Sequence, residues 1–283
     1  MPYYAYFWSK KPGGNDLNNN YLLISPDRNT ADTLFRLLDE NRSFPVVTAP
    51  PPKIVNIKEL NRESSRVWTY DCDDDELPYR LTKLLSGTYP DIYSKVPAFR
   101  DLLGKIKCVQ MHLYPGTTNI GWKIPPELHM DSDDDCLSGY SFYVRRRGFP
   151  DVYWYNNVGI ISLSQHKRSR FIVTVHTKLR SPKIPIIARD KVKVQWVDVD
   201  STRRSLDISN GFLALDLGKT KLFHFSDFLQ RFSIMYNDSS ESSNPYVDSK
   251  IAWSSESGNN NDGFELCEGV PVGELGDMSE DEY

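Results

Sequence analysis

The chain is poor in cysteine, in histidine and in long apolar runs, and each shortage removes a class of protein. Its four cysteines, Cys72, Cys108, Cys136 and Cys267, form no C-x-x-C pair. That excludes a zinc ribbon and speaks against a disulfide framework. No apolar stretch approaches the roughly 20 residues that cross a bilayer. The opening Met1-Pro2-Tyr3-Tyr4 lacks the basic-then-apolar pattern of a signal peptide. The expectation is an intracellular protein of nucleus or cytoplasm, monomeric and without a membrane partner. No fixed-period repeat is visible.

What is present is ordinary globular material. Hydrophobic residues make up 39% and charged residues 25% of the 283 residues, as expected of a folded chain. Aromatics reach 12% and, with Val and Ile, favour strands over helices. The net charge of −4 conceals an asymmetry. Twelve acids against Lys250 alone give 238–283 a charge of −11, so the preceding 237 residues carry +7. A basic body of this kind suits a polyanion such as DNA or RNA.

The periodicity divides the chain into three parts. Residues 1–89 read as an N-terminal extension. Strands are expected around Tyr3–Phe7, Tyr21–Pro26 and Arg66–Tyr70, and a helix over Thr30–Leu38 with Leu34, Leu37 and Leu38 on one face, capped by Asn29 or Thr30. Helical patterns follow at Tyr79–Leu85 and Tyr93–Leu103. From Ile106 the period becomes two. Strands are expected at Lys107–Tyr114, Gly139–Val144, Val152–Tyr155, Gly159–Leu163, Arg170–Thr177, Val192–Val199, Arg204–Ile208, Phe212–Leu217, Lys221–Phe225 and Arg231–Tyr236. So many short strands mean a sandwich or barrel, here occupying 90–237. The Ser-, Asn- and acid-rich segment 238–283 has no periodic apolar face and is expected to be a disordered acidic tail. Within it, Ile251-Ala252-Trp253 and Gly263-Phe264-Glu265-Leu266 are possible docking motifs for a protein partner.

The chemistry centres on histidine. Only His112, His129, His166, His176 and His224 are available. His129-Met130-Asp131 is an H-x-D pair, and on an extended backbone positions i and i+2 point to one side. The imidazole and carboxylate then converge on one metal and, with a distant histidine, form the facial triad of non-haem Fe(II). An isolated H-x-D also occurs in ordinary polar loops. Two basic runs, Arg145-Arg146-Arg147 and His166-Lys167-Arg168, are candidate phosphate contacts or simply solvated loops.

The order of segments from Leu22 to Tyr236 resembles the AlkB family of Fe(II)/2-oxoglutarate-dependent dioxygenases. Leu22-Leu23-Ile24-Ser25-Pro26 with the following helix is similar to the family's entry segment. Arg66-Val67-Trp68-Thr69-Tyr70 resembles the strand before its nucleotide-recognition lid. Tyr114-Pro115-Gly116 and Ile120-Gly121-Trp122 resemble the approach to H-x-D. Gly159–Ser164 with Arg168–Phe171 is similar to the strand pair after the metal loop. Ser209–Leu215 with Gly218–His224 resembles the strand carrying the distal histidine, and Arg231–Tyr236 the arginine-led last strand.

The resemblance implies a mainly β, α+β chain carrying a double-stranded β-helix (jelly-roll) barrel that oxidatively demethylates N-methylated nucleic acid. It implies that His129, Asp131 and His224 bind Fe(II), and that Tyr114 and Arg231 hold 2-oxoglutarate. Trp68 and Tyr70 would line the substrate pocket and stack on a flipped base. The match departs from the pattern in four places, two of them the short step from His224 to Arg231 and the roughly 30 residues between Asp131 and Ile161. Lys123–Leu128 separates Ile120-Gly121-Trp122 from His129, so an ungapped alignment puts Lys123 and Pro125 at the ligand positions. The family's second arginine is Asn237. These departures motivate the alternative of a non-catalytic binding protein that has lost the iron.

Overall fold

In the computed structural model, which describes residues 2–9, 20–46, 53–72, 97–102, 104–110, 135–177, 184–197, 202–235, 249–255 and 263–272, the chain is mainly β with few helices. It divides into two units, Met1–Asp133 and Asp134–Tyr283. No helix among the described residues is long and apolar enough to cross a membrane.

In the first unit the expected alternation of Tyr3, Ala5 and Phe7 builds β1 (Tyr3–Ser9), with those three side chains buried. It pairs antiparallel with β2 (Asn20–Ser25). The helix α1 (Arg28–Glu40) follows. Its cap is Asp27, two to three residues earlier than expected, whose carboxylate accepts the Thr30 amide at 2.8 Å and so satisfies an orphan donor. Leu34, Phe35, Leu37 and Leu38 form the buried face of the helix. Then come β3 (Ser43–Val46), β4 (Lys53–Ser64), β5 (Val67–Cys72), a 3₁₀ turn at Pro97–Leu102 and β6 (Lys107–Gln110). The six strands lie in the order β3-β4-β5-β1-β2-β6.

Two differences from expectation have local causes. Strand β4 is twelve residues long, yet its sequence shows no clean alternation. Register shifts at Ile57/Glu59 and Arg62/Ser64 explain this, because each bulge resets the period of two. The segment expected as helix at 93–103 is a 3₁₀ turn in its described part, and 79–85 lies outside the described residues.

Every strand expected between 139 and 236 is found in the second unit, to within a few residues at its ends. These are β7 (Tyr140–Arg146), β8 (Tyr153–Asn157), β9 (Ile160–Ser164), β10 (Arg170–Val175), β11 (Lys191–Val197), β12 (Arg203–Ser209), β13 (Phe212–Asp216), β14 (Phe223–His224) and β15 (Phe232–Met235). A one-turn helix α2 (Asp227–Gln230) precedes β15. Two hairpins turn through two residues with positive φ, as primed turns require. These are Val158-Gly159 at 49° and 89°, and Asn210-Gly211 at 52° and 82°.

The segment expected to be a disordered tail supplies two further strands. These are β16 (Lys250–Trp253) and β17 (Phe264–Pro271), and they are the two short motifs singled out in the sequence. Strand β16 lies between β13 and β9, and β17 pairs along β7. Ile251 and Phe264 are fully buried, and Phe264 packs on Trp154 at 5.3 Å between ring centroids. The acidic composition, averaged over the segment, hid two local apolar alternations, and the partner strand of β17 lies more than a hundred residues earlier in sequence.

The barrel boundaries shift accordingly. The second unit begins at Asp134 rather than 90 and includes the C-terminal strands. Strand β6, expected to open the barrel, pairs with β2 in the first unit, because a two-residue period does not say which sheet a strand joins. Strands β7–β13 and β16 close an eight-strand antiparallel barrel through the β10–β7 and β13–β9 pairings. Strand β10 returns beside β7, the 4-1-2-3 order of a Greek key, and β10 to β13 then meander. Trp154 sits at the centre of the barrel core, within 6 Å of the rings of Phe171, Phe228, Phe232 and Phe264.

Candidate functional site

Of the residues assigned from the AlkB resemblance, His129, Asp131 and Tyr114 lie outside the described residues. His224 and Arg231 come together at one corner of the second unit. Asp227, 4% exposed, accepts the His224 amide at 2.9 Å through one oxygen. Its other oxygen lies 3.5 Å from the Arg231 guanidinium. The His224 imidazole itself is exposed, while its neighbour Phe223 fills the interior. Among the described residues no group of three His, Cys, Asp or Glu side chains could hold a metal ion.

Trp68 and Tyr70 belong to the core of the first unit, and neither presents a ring face to solvent. Tyr70 stacks on Phe7 at 4.3 Å and Trp68 packs edge-on against Phe35 at 5.2 Å. Burial drives the Tyr70 phenol far above its ordinary pKa. The neighbouring Arg62 guanidinium lies over both Phe35 and Trp68 and donates to Asp32 at 2.7 Å.

Strand register assembles a surface that no single motif announced. The His176 amide donates to the Lys191 carbonyl at 2.8 Å, and Lys191 is paired directly with His224. Directly opposed residues on neighbouring strands project from the same face. His176, Lys191 and His224 therefore stand side by side on the outside of β10, β11 and β14, all exposed, about 4.8 Å apart per strand. Lys193, opposite Thr174, extends the row by one pleat. The intervening Val173, Val175, Val192 and Val194 point inward and are buried. None of the three strands carries a carboxylate. Among the described residues the carboxylates nearest in sequence, Asp190 and Asp227, are buried, and each accepts a backbone amide, that of Ile187 and that of His224.

A second cationic face spans β7, β8 and β10. The Tyr143 ring has the guanidiniums of Arg168 and Arg170 each 4.1 Å from its centroid, and Arg168 also lies 5.9 Å from Tyr153. Here the C-terminal strand intervenes. Glu265 accepts from Arg145 at 2.6 Å, and both carboxylate oxygens of Glu268 accept from Arg168, at 3.1 and 3.2 Å. Burial works against the charged Arg145, but the bond and charge of Glu265 outweigh it and raise its pKa. Arg146, from the same basic run, is buried over Phe149 at 4.1 Å. The two basic runs noted in the sequence thus contribute Arg145 and Arg168 to a face already met by carboxylates.

The row on β10, β11 and β14 was missed in the sequence because its members are 15 and 33 residues apart. The only local signal was the Lys191-Val192-Lys193-Val194 alternation, which places two lysines on one face. No family model matches the chain, and no curated protein is significantly similar to it in sequence.

Proposed function

We propose that this protein is a non-catalytic nucleic-acid-binding protein whose barrel contacts the phosphate backbone through the row His176–Lys191–His224 and Lys193. The observation that carries this reading is the row itself, lateral and exposed, on three strands without a carboxylate. Imidazole and ammonium donors at strand spacing suit successive phosphates, and such contacts position a nucleic acid without reading its sequence. The charge of +7 on residues 1–237 agrees with a polyanionic partner.

The test is fluorescence anisotropy of the full chain with labelled mixed-sequence single-stranded RNA and DNA. Affinity should fall steeply between about 50 and 200 mM salt. Lys191→Gln with Lys193→Gln should flatten the log–log salt slope by about 1.4, at roughly 0.7 per phosphate contact on a single strand. Absence of binding at the lowest salt, or an unchanged slope in the double variant, would sink the reading.

One observation favours a second reading, the Fe(II)/2-oxoglutarate dioxygenase. His224 and Arg231, the residues the resemblance gives to iron and cosubstrate, share Asp227. That reading needs an AlkB-like double-stranded β-helix, and a jelly roll is built from two Greek keys, whereas one Greek-key return, that of β10, is seen among the described strands. It also needs the distal histidine on the inner face of its strand, where Phe223 stands. Two of the three ligands it assigns, His129 and Asp131, lie outside the described residues, and we derive no step through the iron. Succinate release from 2-oxoglutarate by the Fe(II)-loaded protein, abolished in His224→Ala, would reverse this ranking.

A further inference from the structure

We infer that the Arg145–Arg168 face of β7, β8 and β10 is a second phosphate-binding surface, which the chain's own acidic strand β17 keeps occupied with Glu265 and Glu268. The inference rests on the nucleic-acid reading above and concerns a different face of the same barrel.

The occupant is held in two distinct ways. Phe264 and Leu266 anchor β17 in the core, and Gly269 sits so close to Phe142 that a Cβ there would come within 2.6 Å of the ring. The Arg170 guanidinium also takes the Glu268 carbonyl at 2.8 Å. Strand β17 is therefore fixed. Its carboxylates are not, because the side chains of both ion pairs are one-third to nearly one-half exposed, 32% and 38% for Arg145–Glu265, 35% and 44% for Arg168–Glu268. Ion pairs this wet contribute little to stability. A carboxylate can swing into solvent and leave its arginine to a phosphate while the strand stays in place.

The geometry of the carboxylates suits this role. Glu268 stands at a register shift in β17, between Cys267 and Val270, with φ of 53°, a conformation unusual for glutamate. The bulge turns the Glu268 carboxylate onto Arg168, which already lies over Tyr143. The arginine is thereby presented in a fixed plane, and a planar guanidinium recognises carboxylate and phosphate by the same forked hydrogen bonding. Competition by Glu265 and Glu268 lowers affinity for nucleic acid without hiding the surface permanently.

The experiment compares the full chain with Glu265→Gln/Glu268→Gln in the same anisotropy titrations, folding being checked by thermal melting. Freeing two arginines should tighten binding and steepen the log–log salt slope on single-stranded RNA or DNA by about 1.4. Adding Arg145→Gln and Arg168→Gln should remove that gain. Glu268→Gln alone, the more exposed site, gives about half the change and serves if the double variant does not fold. If the wild type binds and the glutamine variants match its affinity and slope, the inference fails while the proposed function stands. If neither wild type nor variants bind, both fail. Binding by the variant alone supports the inference and moves the contact from the histidine–lysine row to this face.

Discussion

Arginine is paired with a carboxylate in both units, and the two environments set opposite consequences. In the first unit Arg62 and Asp32 have side chains only 1% and 5% exposed, bonded at 2.7 Å beneath Phe35 and Trp68. In the second, Arg168 and Glu268 meet at 3.1 Å with 35% and 44% exposed. The bond lengths differ little. What differs is the solvent each charge recovers when its partner leaves. Arg62 would recover none, so its pair is committed to the fold. Arg168 would recover much of its hydration, so its pair is far less committed to the fold.

Mutation breaks or sharpens this contrast. Asp32→Ala takes the carboxylate from a buried guanidinium and should cost about 3–5 kcal/mol, read as a fall in the denaturation midpoint or as insoluble protein. Phe264→Ala should cost about 3–5 kcal/mol by opening a cavity beside Trp154. Retention of wild-type stability there would show that the C-terminal strand is not part of the core. Val158→Asn should stabilise by about 1 kcal/mol or less, because it replaces a 97% exposed β-branched residue at φ 49° with one that tolerates that conformation. Asn210, in the matching turn, already has that advantage, so Asn210→Val should lose a similar amount. Glu268→Gln should change stability by less than about 1 kcal/mol. A loss as large as that of Asp32→Ala would mean that burial does not separate the two pairs.

Much of the fold was legible locally. The strands between 139 and 236 follow from an alternation of apolar and polar residues, and α1 from the spacing of Leu34, Leu37 and Leu38. Two kinds of element were not legible. Strand β3, four residues with a proline inside, and β4, broken by its bulges, were obscured, and β16 and β17 were outweighed by the acids and serines around them. The same holds at the surface. Arg145 and Arg168 were visible as members of basic runs, but not that Glu265 and Glu268 answer them across 120 and 100 residues of chain. His224 was noticed for a role in iron binding, whereas its place beside Lys191 follows only from strand pairing.

By itself, then, the sequence determined most of the extended segments, the buried face of α1, and that positive charge gathers ahead of residue 238. These are properties of neighbours a few positions apart, set by backbone geometry and side-chain polarity. Tertiary structure alone decided which sheet each strand joins, that two short strands of the acidic C-terminal segment pair with the barrel, and which basic side chains stand exposed without a carboxylate on their strands. Register between distant strands settles such matters, and a shift of one residue would send every one of those side chains to the opposite face.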